Sequence, residues 1–193
     1  MQAFERNGFT WTFCATAAQA ADYIVSQCKG KKIGFGGSMT LDGLGVYEQL
    51  KDQADVHWHW KGGDQLPKGD VFLTSANALS ATGETVNIDG ACNRIAASVH
   101  GFDACYVVCG INKLAPDLTS AMRRAREIAA PLNAKRLNKR TPCAVDGKCH
   151  DCRSPERICR AMTVVMAPPT GMSHYEIVVV GEEPVSYTHL RAH

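Results

Sequence analysis

The feature that most constrains the fold is a set of short segments that are apolar at every position instead of every second one. The clearest lie within residues 70–79, 103–113 and 175–183, which contain VFLT, ACYVVCG and IVVV. A strand that is apolar on both sides has to be covered on both sides, which is typical of parallel sheets. Stretches with helical spacing of apolar residues separate these strands, notably 14–28 and 116–138. The sequence therefore predicts an α/β fold with a layered, mainly parallel sheet and helices on both faces.

The limits of the predicted helices follow from glycine and proline. Gly30 favours an end to the first long helix, and Pro116 suits the first turn of the second. Pro131 lies inside that second helical pattern and should kink or end it, because proline lacks the N–H group that a helix interior needs. Shorter strands are predicted within 31–35, 54–60, 83–90 and 161–167, and further helices within 41–52 and 91–101.

Length and composition predict one ordinary globular domain. The chain has 193 residues, of which 45% are hydrophobic and 21% charged. No apolar segment approaches the length of a membrane span, and the first residues lack the basic and apolar parts of a secretory signal. We expect a cytoplasmic protein in which residues 1–183 form the domain. Residues 184–193 (PVSYTHLRAH) break the pattern and are expected to be a non-native or disordered tail.

Candidate ligand-binding residues follow the predicted strands. In parallel α/β sheets, ligands bind beyond the carboxyl ends of the strands. Gly36, Gly37 and Ser38 follow the first of these strands, and Asn112 and Lys113 follow another. Glycines let the backbone approach a ligand, and Lys113 suits either an anion or plain surface charge. The turn is not a Walker loop, and it lacks the spacing of a dinucleotide fingerprint.

A polar stretch between these two segments supplies the other candidates. It contains Asn77, Glu84, Asn87, Asp89, Asn93 and Arg94 within 18 positions. Asparagine, aspartate and glycine are also common turn residues, so turn formation is the alternative interpretation. The number of polar ends favours a ligand pocket. If the protein is an enzyme of the isomerase or acyl-transfer type, Glu84 or Asp89 is the candidate general base or nucleophile.

Charge is concentrated late in the chain. Residues 123–160 contain 11 of the 21 lysines and arginines but only four acidic residues. Nucleic acid is an unlikely partner, because the aromatic residues that usually accompany single-strand binding are absent from this segment. A basic wall around an anionic ligand or an anionic thiolate cluster fits at least as well as a nucleic-acid patch. A solvated helix face is the alternative interpretation of Arg123, Arg124 and Arg126.

Four cysteines crowd the same basic segment. Cys143, Cys149, Cys152 and Cys159 lie in TPCAVDGKCHDCRSPERICR. In a reducing compartment, clustered cysteines more often bind metal or carry out redox chemistry than form bridges. Tetrahedral zinc and a [4Fe–4S] cluster both accept four thiolates, and the spacing does not decide between them. A metal-free loop or a redox-active C-x-x-C pair is the remaining alternative.

Several motifs in one order resemble the LUD family, the lactate-utilisation domain. They are GFGGSMTLDGLG, DVFLTSANAL, TGETVNIDGACNRIAAS, VVCGINK, AAPLNAKRLN and TPCAVDGKCHDCRSPERIC, between residues 4 and 183. The resemblance is greatest to a single-domain branch with a late cysteine cluster. It implies a fold similar to the ribose-phosphate isomerase and CoA-transferase group, with a site at Gly36, Gly37, Ser38, Asn77, Glu84, Asn87, Asp89 and Asn93.

The resemblance also implies a biochemical setting. Members of the family are implicated in oxidation of L-lactate to pyruvate within a multi-protein iron–sulfur complex. We therefore expect a small anionic metabolite, a carboxylate or phosphate, held by backbone N–H groups with Lys113 or Arg94. The cysteines are expected to hold an iron–sulfur cluster, with structural zinc as the alternative. The other possibilities are an isomerase- or acyl/CoA-transfer-like enzyme and a non-catalytic subunit of a redox complex.

Overall fold

The computed structural model describes residues 1–64 and 66–182, so the predicted tail at 184–193 lies outside the described residues. The strands are β1 Thr10–Cys14, β2 Lys32–Phe35, β3 Asp55–His57, β4 Gly69–Thr74, β5 Ala78–Ser80, β6 Thr85–Asp89, β7 Phe102–Gly110, β8 Leu114–Ala115, β9 Ala161–Val165 and β10 His174–Val180. The helices are α1 Gln2–Arg6, α2 Ala17–Cys28, α3 Met39–Gly43, α4 Val46–Leu50, α5 Asn93–Ala97, α6 Leu118–Arg124, α7 Ala130–Arg136 and α8 Pro142–Asp146. A π-helical turn, Ala125–Ala129, joins α6 to α7.

Six strands form one parallel sheet in the order β1-β10-β7-β4-β2-β3. Its central strands are apolar on both faces, as the sequence predicts. In β7, Ala104 and Tyr106 point into one core cluster while Cys105 and Val107 point into another. This confirms the α/β fold class with a mainly parallel sheet.

The two faces of the sheet are covered differently. Residues of α2, α3 and α4, among them Ile24, Leu41 and Leu50, pack with Trp58 on one face. On the other face the cluster contains Phe4 of α1, but also Leu79 and Val165 from a second sheet. That sheet has the order β8-β5-β6-β9 and mixes parallel and antiparallel pairs. Helices therefore cover one face, and helices together with a small sheet cover the other.

The first long helix begins later than its apolar pattern suggests. Cys14 ends β1, which pairs with β10, and α2 begins only at Ala17. The Thr16 side chain caps the helix by accepting a hydrogen bond from the Gln19 N–H at 3.2 Å. The sequence pattern does not predict β1, because only the last residue of this strand is buried.

The second long helix contains an irregular turn where proline requires one. The Asp117 side chain caps α6 and accepts from the Ser120 N–H at 2.7 Å, so Pro116 precedes the helix instead of lying in its first turn. Pro131 does not end the helix, because the π-helical turn changes the hydrogen-bond register just before it and places it in the first turn of α7. Ala121 and Ala125 pack on Val86 and Ile88 of the small sheet.

The topology brings three strand ends together. Because β2, β4 and β7 are parallel neighbours or near neighbours, their carboxyl ends meet at one edge of the large sheet. The segments that follow are the turn at 36–38, the segment 75–77, and a 3₁₀ turn at Ile111–Lys113. Over the described ranges, 1–64 and 66–182, none of the helices has both the length and the apolar character needed to cross a membrane.

Candidate functional site

A cavity of about 600 Å³ opens at this edge of the large sheet. The three segments after β2, β4 and β7 form its inner wall, and the residues at the end of β6 and the start of α5 form its floor. The π-helical turn and α7 form the opposite wall. The cavity therefore lies where ligands bind in parallel α/β sheets.

Lys113 lies at the inner wall and is held by two hydroxyl groups. Its ammonium donates to Ser75 Oγ at 2.8 Å and to Thr40 Oγ1 at 3.0 Å. Thr40 follows β2, Ser75 follows β4 and Lys113 follows β7. The two hydrogen bonds therefore connect the carboxyl ends of these three strands. These two hydrogen bonds to hydroxyl oxygens orient the ammonium.

Ser75 is the centre of a small buried network. Its hydroxyl is 3.4 Å from Thr40 Oγ1 and 3.6 Å from the Cys109 sulfur. The same sulfur accepts a hydrogen bond from the Ala76 N–H at 3.2 Å. Ser75 and Cys109 are buried, so this network fixes the position of the Lys113 ammonium from behind.

Arg94 crosses the floor of the cavity and donates to four oxygen atoms. One terminal nitrogen, Nη1, reaches Asn87 Oδ1 at 2.6 Å and the Ser75 carbonyl at 3.1 Å. The other, Nη2, reaches the Ile88 carbonyl at 2.7 Å and Asn77 Oδ1 at 3.3 Å. A guanidinium group has five N–H donors, and four of them are used in these bonds.

The fifth donor of Arg94 faces Asp89. Arg94 Nε lies 3.6 Å from Asp89 Oδ2, and both side chains are largely buried. Asp89 Oδ2 is a buried oxygen without a hydrogen-bond partner in the part of the chain that the structure describes. Burial lowers the pKa of the Arg94 guanidinium below its ordinary value, and the Asp89 carboxylate opposes that shift. Arg94 and Asp89 therefore stabilise each other at the floor of the cavity.

Two glycines make room for large side chains. A Cβ atom on Gly36 would lie 2.9 Å from Arg94 Cγ, and one on Gly37 would lie 3.0 Å from the Trp60 ring. Both distances are shorter than an ordinary van der Waals contact, so a side chain at either position would displace its neighbour. Gly36 thus supports the site from behind Arg94, whereas Gly37 lines the cavity itself.

The outer wall carries a second, differently held arginine. The guanidinium carbon of Arg136 lies 5.0 Å from the centre of the Trp60 ring, in cation–π contact. Its Nε and Nη2 atoms donate to Asn133 Oδ1 at 3.0 and 2.8 Å. Trp60 is itself stacked on buried Trp58, with ring centres 5.5 Å apart. Arg136 is therefore positioned by neutral groups at the cavity.

The structure brings most of the predicted site residues to one place. Those that line the cavity are Gly37, Ser38, Asn77, Asp89, Asn93, Arg94, Asn112 and Lys113. The Ser38 hydroxyl caps α3 by accepting from the Leu41 N–H at 3.2 Å. Asn87 is buried beneath the floor, where its Oδ1 also accepts from the Asn77 N–H at 3.0 Å. Asn77 and Asn87 thus hold Arg94 and the backbone of β5 and β6.

Glu84 is the predicted site residue that lies farthest from the cavity. It precedes β6, whereas Asp89 at the other end of that strand lines the floor. Five residues of strand separate two positions by about 17 Å. The Glu84 carboxylate instead accepts a hydrogen bond from the Thr82 hydroxyl at 2.6 Å in the turn after β5. The structure therefore does not bring Glu84 and Asp89 together as an acid–base pair.

The four clustered cysteines lie in and after α8. Cys143 is the second residue of that helix, and its sulfur lies 3.4 Å from the Thr141 hydroxyl. The Cys159 sulfur is 3.5 Å from Arg157 Nη2, and Cys159 together with Cys152 raises the pKa of Arg157. A hydrogen bond to the Cys149 sulfur raises the pKa of Arg126. Within 1–64 and 66–182, no three Cys, His, Asp or Glu side chains form a group that could hold a metal ion. The iron–sulfur cluster and the alternative zinc at these four cysteines stay predictions from the sequence.

Several residues of the cavity were not predicted from the sequence. Ser75 is part of the segment after β4 but resembles an ordinary turn residue. Arg124 donates to the Asn77 carbonyl and lines the cavity, so it is not part of a solvated helix face. The signal that pointed to Arg124 and Arg136 was the basic segment 123–160, interpreted as a wall around an anion.

Comparisons with known proteins agree with this architecture. A solved structure described as a DUF162 family protein from Deinococcus radiodurans is similar with a TM-score of 0.54 and 15% sequence identity. The match covers 93% of this chain and 95% of that one, and at this identity it shows the fold alone. A comparison with curated proteins gave no match. The family model of the LUD domain matches residues 1–180, so the chain belongs to the LUD domain family, which is associated with lactate utilisation.

Proposed function

We propose that this LUD-domain protein binds a small anionic metabolite of the 2-hydroxy-acid class in the cavity, with Lys113 as the charged anchor. The observation that carries the proposal is the Lys113 ammonium, held at the inner wall by Ser75 Oγ at 2.8 Å and Thr40 Oγ1 at 3.0 Å. A lysine oriented by uncharged groups at a strand end attracts a carboxylate or phosphate.

Lys113 suits this role better than Arg94. Arg94 gives four hydrogen bonds to protein oxygens and its fifth donor faces Asp89. A ligand that bound Arg94 would have to replace one of these partners and leave a buried oxygen unsatisfied, which costs about 1–3 kcal/mol. We therefore interpret Arg94 as a positioning residue that shapes the floor.

A binding role accounts for the acidic residues better than isomerase or acyl-transfer chemistry does. Asp89 faces Arg94, and its Oδ1 accepts from the Ala91 N–H at 3.2 Å. Glu84 lies at the far end of β6. Asp89 is therefore engaged by Arg94 and by the backbone, and Glu84 is not among the residues that line the cavity. We place the protein in 2-hydroxy-acid utilisation as a metabolite-binding component of a redox system.

Isothermal titration calorimetry with L-lactate and lactamide tests the proposal. The two compounds share a shape and a hydroxyl group, but only lactate carries a charge. We expect lactate to bind at least about tenfold more tightly, which corresponds to about 1.4 kcal/mol for a charge-assisted hydrogen bond. Lys113→Gln should remove this preference.

The exposed residue Lys29 provides the matched control. Lys29→Gln removes the same charge at the end of α2, away from the cavity, and should leave lactate binding unchanged. Equal binding of lactate and lactamide, or an undiminished preference in Lys113→Gln, would contradict the role of Lys113.

A further inference from the structure

The cavity extends well beyond the space that a lactate ion needs around Lys113. We propose that its ligand carries two anionic groups joined by an apolar segment, with Lys113 binding the first group and Arg136 the second. This inference rests on the proposed function and specifies the class of ligand at the same site.

Size is the first argument. The cavity volume is about 600 Å³, within the range of roughly 300–1,000 Å³ that is typical of pockets for larger, drug-sized ligands. A lactate ion occupies roughly 100 Å³, the volume of about three molecules of liquid water. Lactate bound at Lys113 would therefore leave most of the cavity to solvent.

Charge is the second argument. The cavity lining includes four cationic side chains, Arg94, Lys113, Arg124 and Arg136, and one carboxylate, Asp89. The described part of the lining therefore has three more cationic side chains than carboxylates. A ligand with two anionic groups complements the positive charge of the cavity lining better than a monoanion does.

Arg136 has the geometry of a receptor for an anion. Its two bonds to Asn133 Oδ1 use the donors at Nε and one at Nη2, which leaves three of the five donors of a guanidinium group. Among residues 1–64 and 66–182, no carboxylate lies within ion-pair distance of Arg136. Asp42, which lines the adjoining groove with Arg136, is paired with Lys61 at 3.0 Å.

A cation–π contact orients Arg136 in the absence of a ligand. Its guanidinium carbon lies over the Trp60 ring, 5.0 Å from the ring centre. Trp60 in turn rests on Trp58, which is 1% exposed. A planar fork held in this way binds carboxylate or phosphate oxygens in pairs at a low entropic cost.

Apolar side chains complete the cavity. Ile128, Leu132, Leu137 and Ile158 belong to its lining. Ile128 is 50% exposed and Leu137 40% exposed, although large apolar side chains are usually buried. A ligand with an apolar segment would remove this surface from water, which favours binding by about 25 cal/mol per Å². The cavity therefore combines an anion site in each of two walls with apolar side chains.

A series of α,ω-dicarboxylates from succinate to suberate tests which separation of two carboxylates fits the sites at Lys113 and Arg136. Each is compared by isothermal titration calorimetry with the monocarboxylate of the same carbon number. We expect one dicarboxylate length to bind best, at least about tenfold more tightly than its monocarboxylate. Arg136→Gln should reduce that advantage to about twofold and leave the monocarboxylate unaffected, whereas Lys113→Gln should weaken both.

The matched control is Arg123→Gln, because Arg123 is an exposed arginine of α6 outside the cavity lining. This exchange should change the affinity for neither the dicarboxylates nor the monocarboxylates. A dicarboxylate advantage that is absent, or that persists in Arg136→Gln, overturns the second anion site while leaving the proposed function intact. Failure of every carboxylate to bind contradicts the proposed function and this inference together.

Discussion

At the scale of single residues, Arg94 organises the floor of the cavity. It joins the Ser75 carbonyl after β4 to the Ile88 carbonyl in β6, and it connects the Asn77 and Asn87 side chains. The absence of a side chain at Gly36 gives Arg94 Cγ the space it occupies. These contacts tie the large sheet to the small one, so the role of Arg94 is structural as well as electrostatic.

Arg94→Lys should reduce stability and spare ligand binding. Lysine has three donors and no planar fork, so at least one of the four oxygen acceptors loses its partner. We expect the free energy of unfolding in urea to fall by about 2 kcal/mol. Because Arg94 does not contact the ligand in our proposal, lactate affinity should change by less than about threefold, or 0.6 kcal/mol.

The opposite pattern would identify Arg94 as a ligand-binding residue. In that case Arg94→Lys would weaken lactate binding strongly while unfolding stayed near that of the native protein. Lys68→Arg, at an exposed position before β4, is the reverse exchange and should alter neither quantity.

The residue types of the candidate site could be predicted from the sequence, but the roles of these residues could not. Strand-end position was enough to select Ser38, Asn77 and Lys113, because parallel topology gathers the carboxyl ends of strands. The partners of Asn77 and Asn87 were not predictable. Whether an amide faces a ligand or an arginine depends on how β5 and β6 lie against α5, and these contacts are distant in sequence.

At the scale of elements, a buried carboxylate joins β1, α2 and β10. Glu176 is 1% exposed. It accepts hydrogen bonds from the Thr12 hydroxyl at 2.6 Å and the Tyr23 hydroxyl at 2.8 Å, and its second oxygen lies 2.8 Å from His174 Nε2. Glutamate interrupts an apolar strand here because three different elements supply polar groups around it.

Glu176→Gln should destabilise the protein. An amide replaces one acceptor oxygen by a nitrogen donor, which leaves a buried group facing another donor. We expect a loss of about 1–3 kcal/mol in the free energy of unfolding, measured by urea denaturation followed by tryptophan fluorescence.

Glu48→Gln is the control for this exchange, because Glu48 is exposed and pairs only with Lys51 on the surface. Its effect should stay within about 0.5 kcal/mol. A loss at position 176 no larger than that at position 48 would mean that the buried contacts do not stabilise the sheet.

At the scale of the whole molecule, the two sides of the large sheet each bury a thiol. Cys28 of α2 packs on one side and Cys105 of β7 on the other, and both are fully buried. Burial raises the pKa of each thiol from 9.0 to about 12. The folded protein therefore keeps these protons at a pH at which the unfolded chain has released them.

Stability should consequently fall as the pH rises above about 9. Between pH 9 and about 12 the unfolded thiols are ionised and the folded ones are not, so each thiol lowers the free energy of unfolding by about 1.4 kcal/mol per pH unit. Urea denaturation at pH 8, 9 and 10 measures this slope. The double variant Cys28→Ala/Cys105→Ala should show a shallower slope, and an unchanged slope would rule out the thiols as its cause.

The sequence by itself determined the fold class, the LUD family and the edge of the sheet where the site lies. Each of these depends on local patterns: doubly apolar strands, motif order and polar residues at strand ends. Only the tertiary structure decided that a small mixed sheet covers part of one face, that Arg94 donates to protein oxygens and that Arg136 lies over the Trp60 ring. The physical reason is that hydrogen-bond and ring-contact partners depend on which elements, far apart in the chain, come close in space. Periodicity and spacing do not encode that proximity.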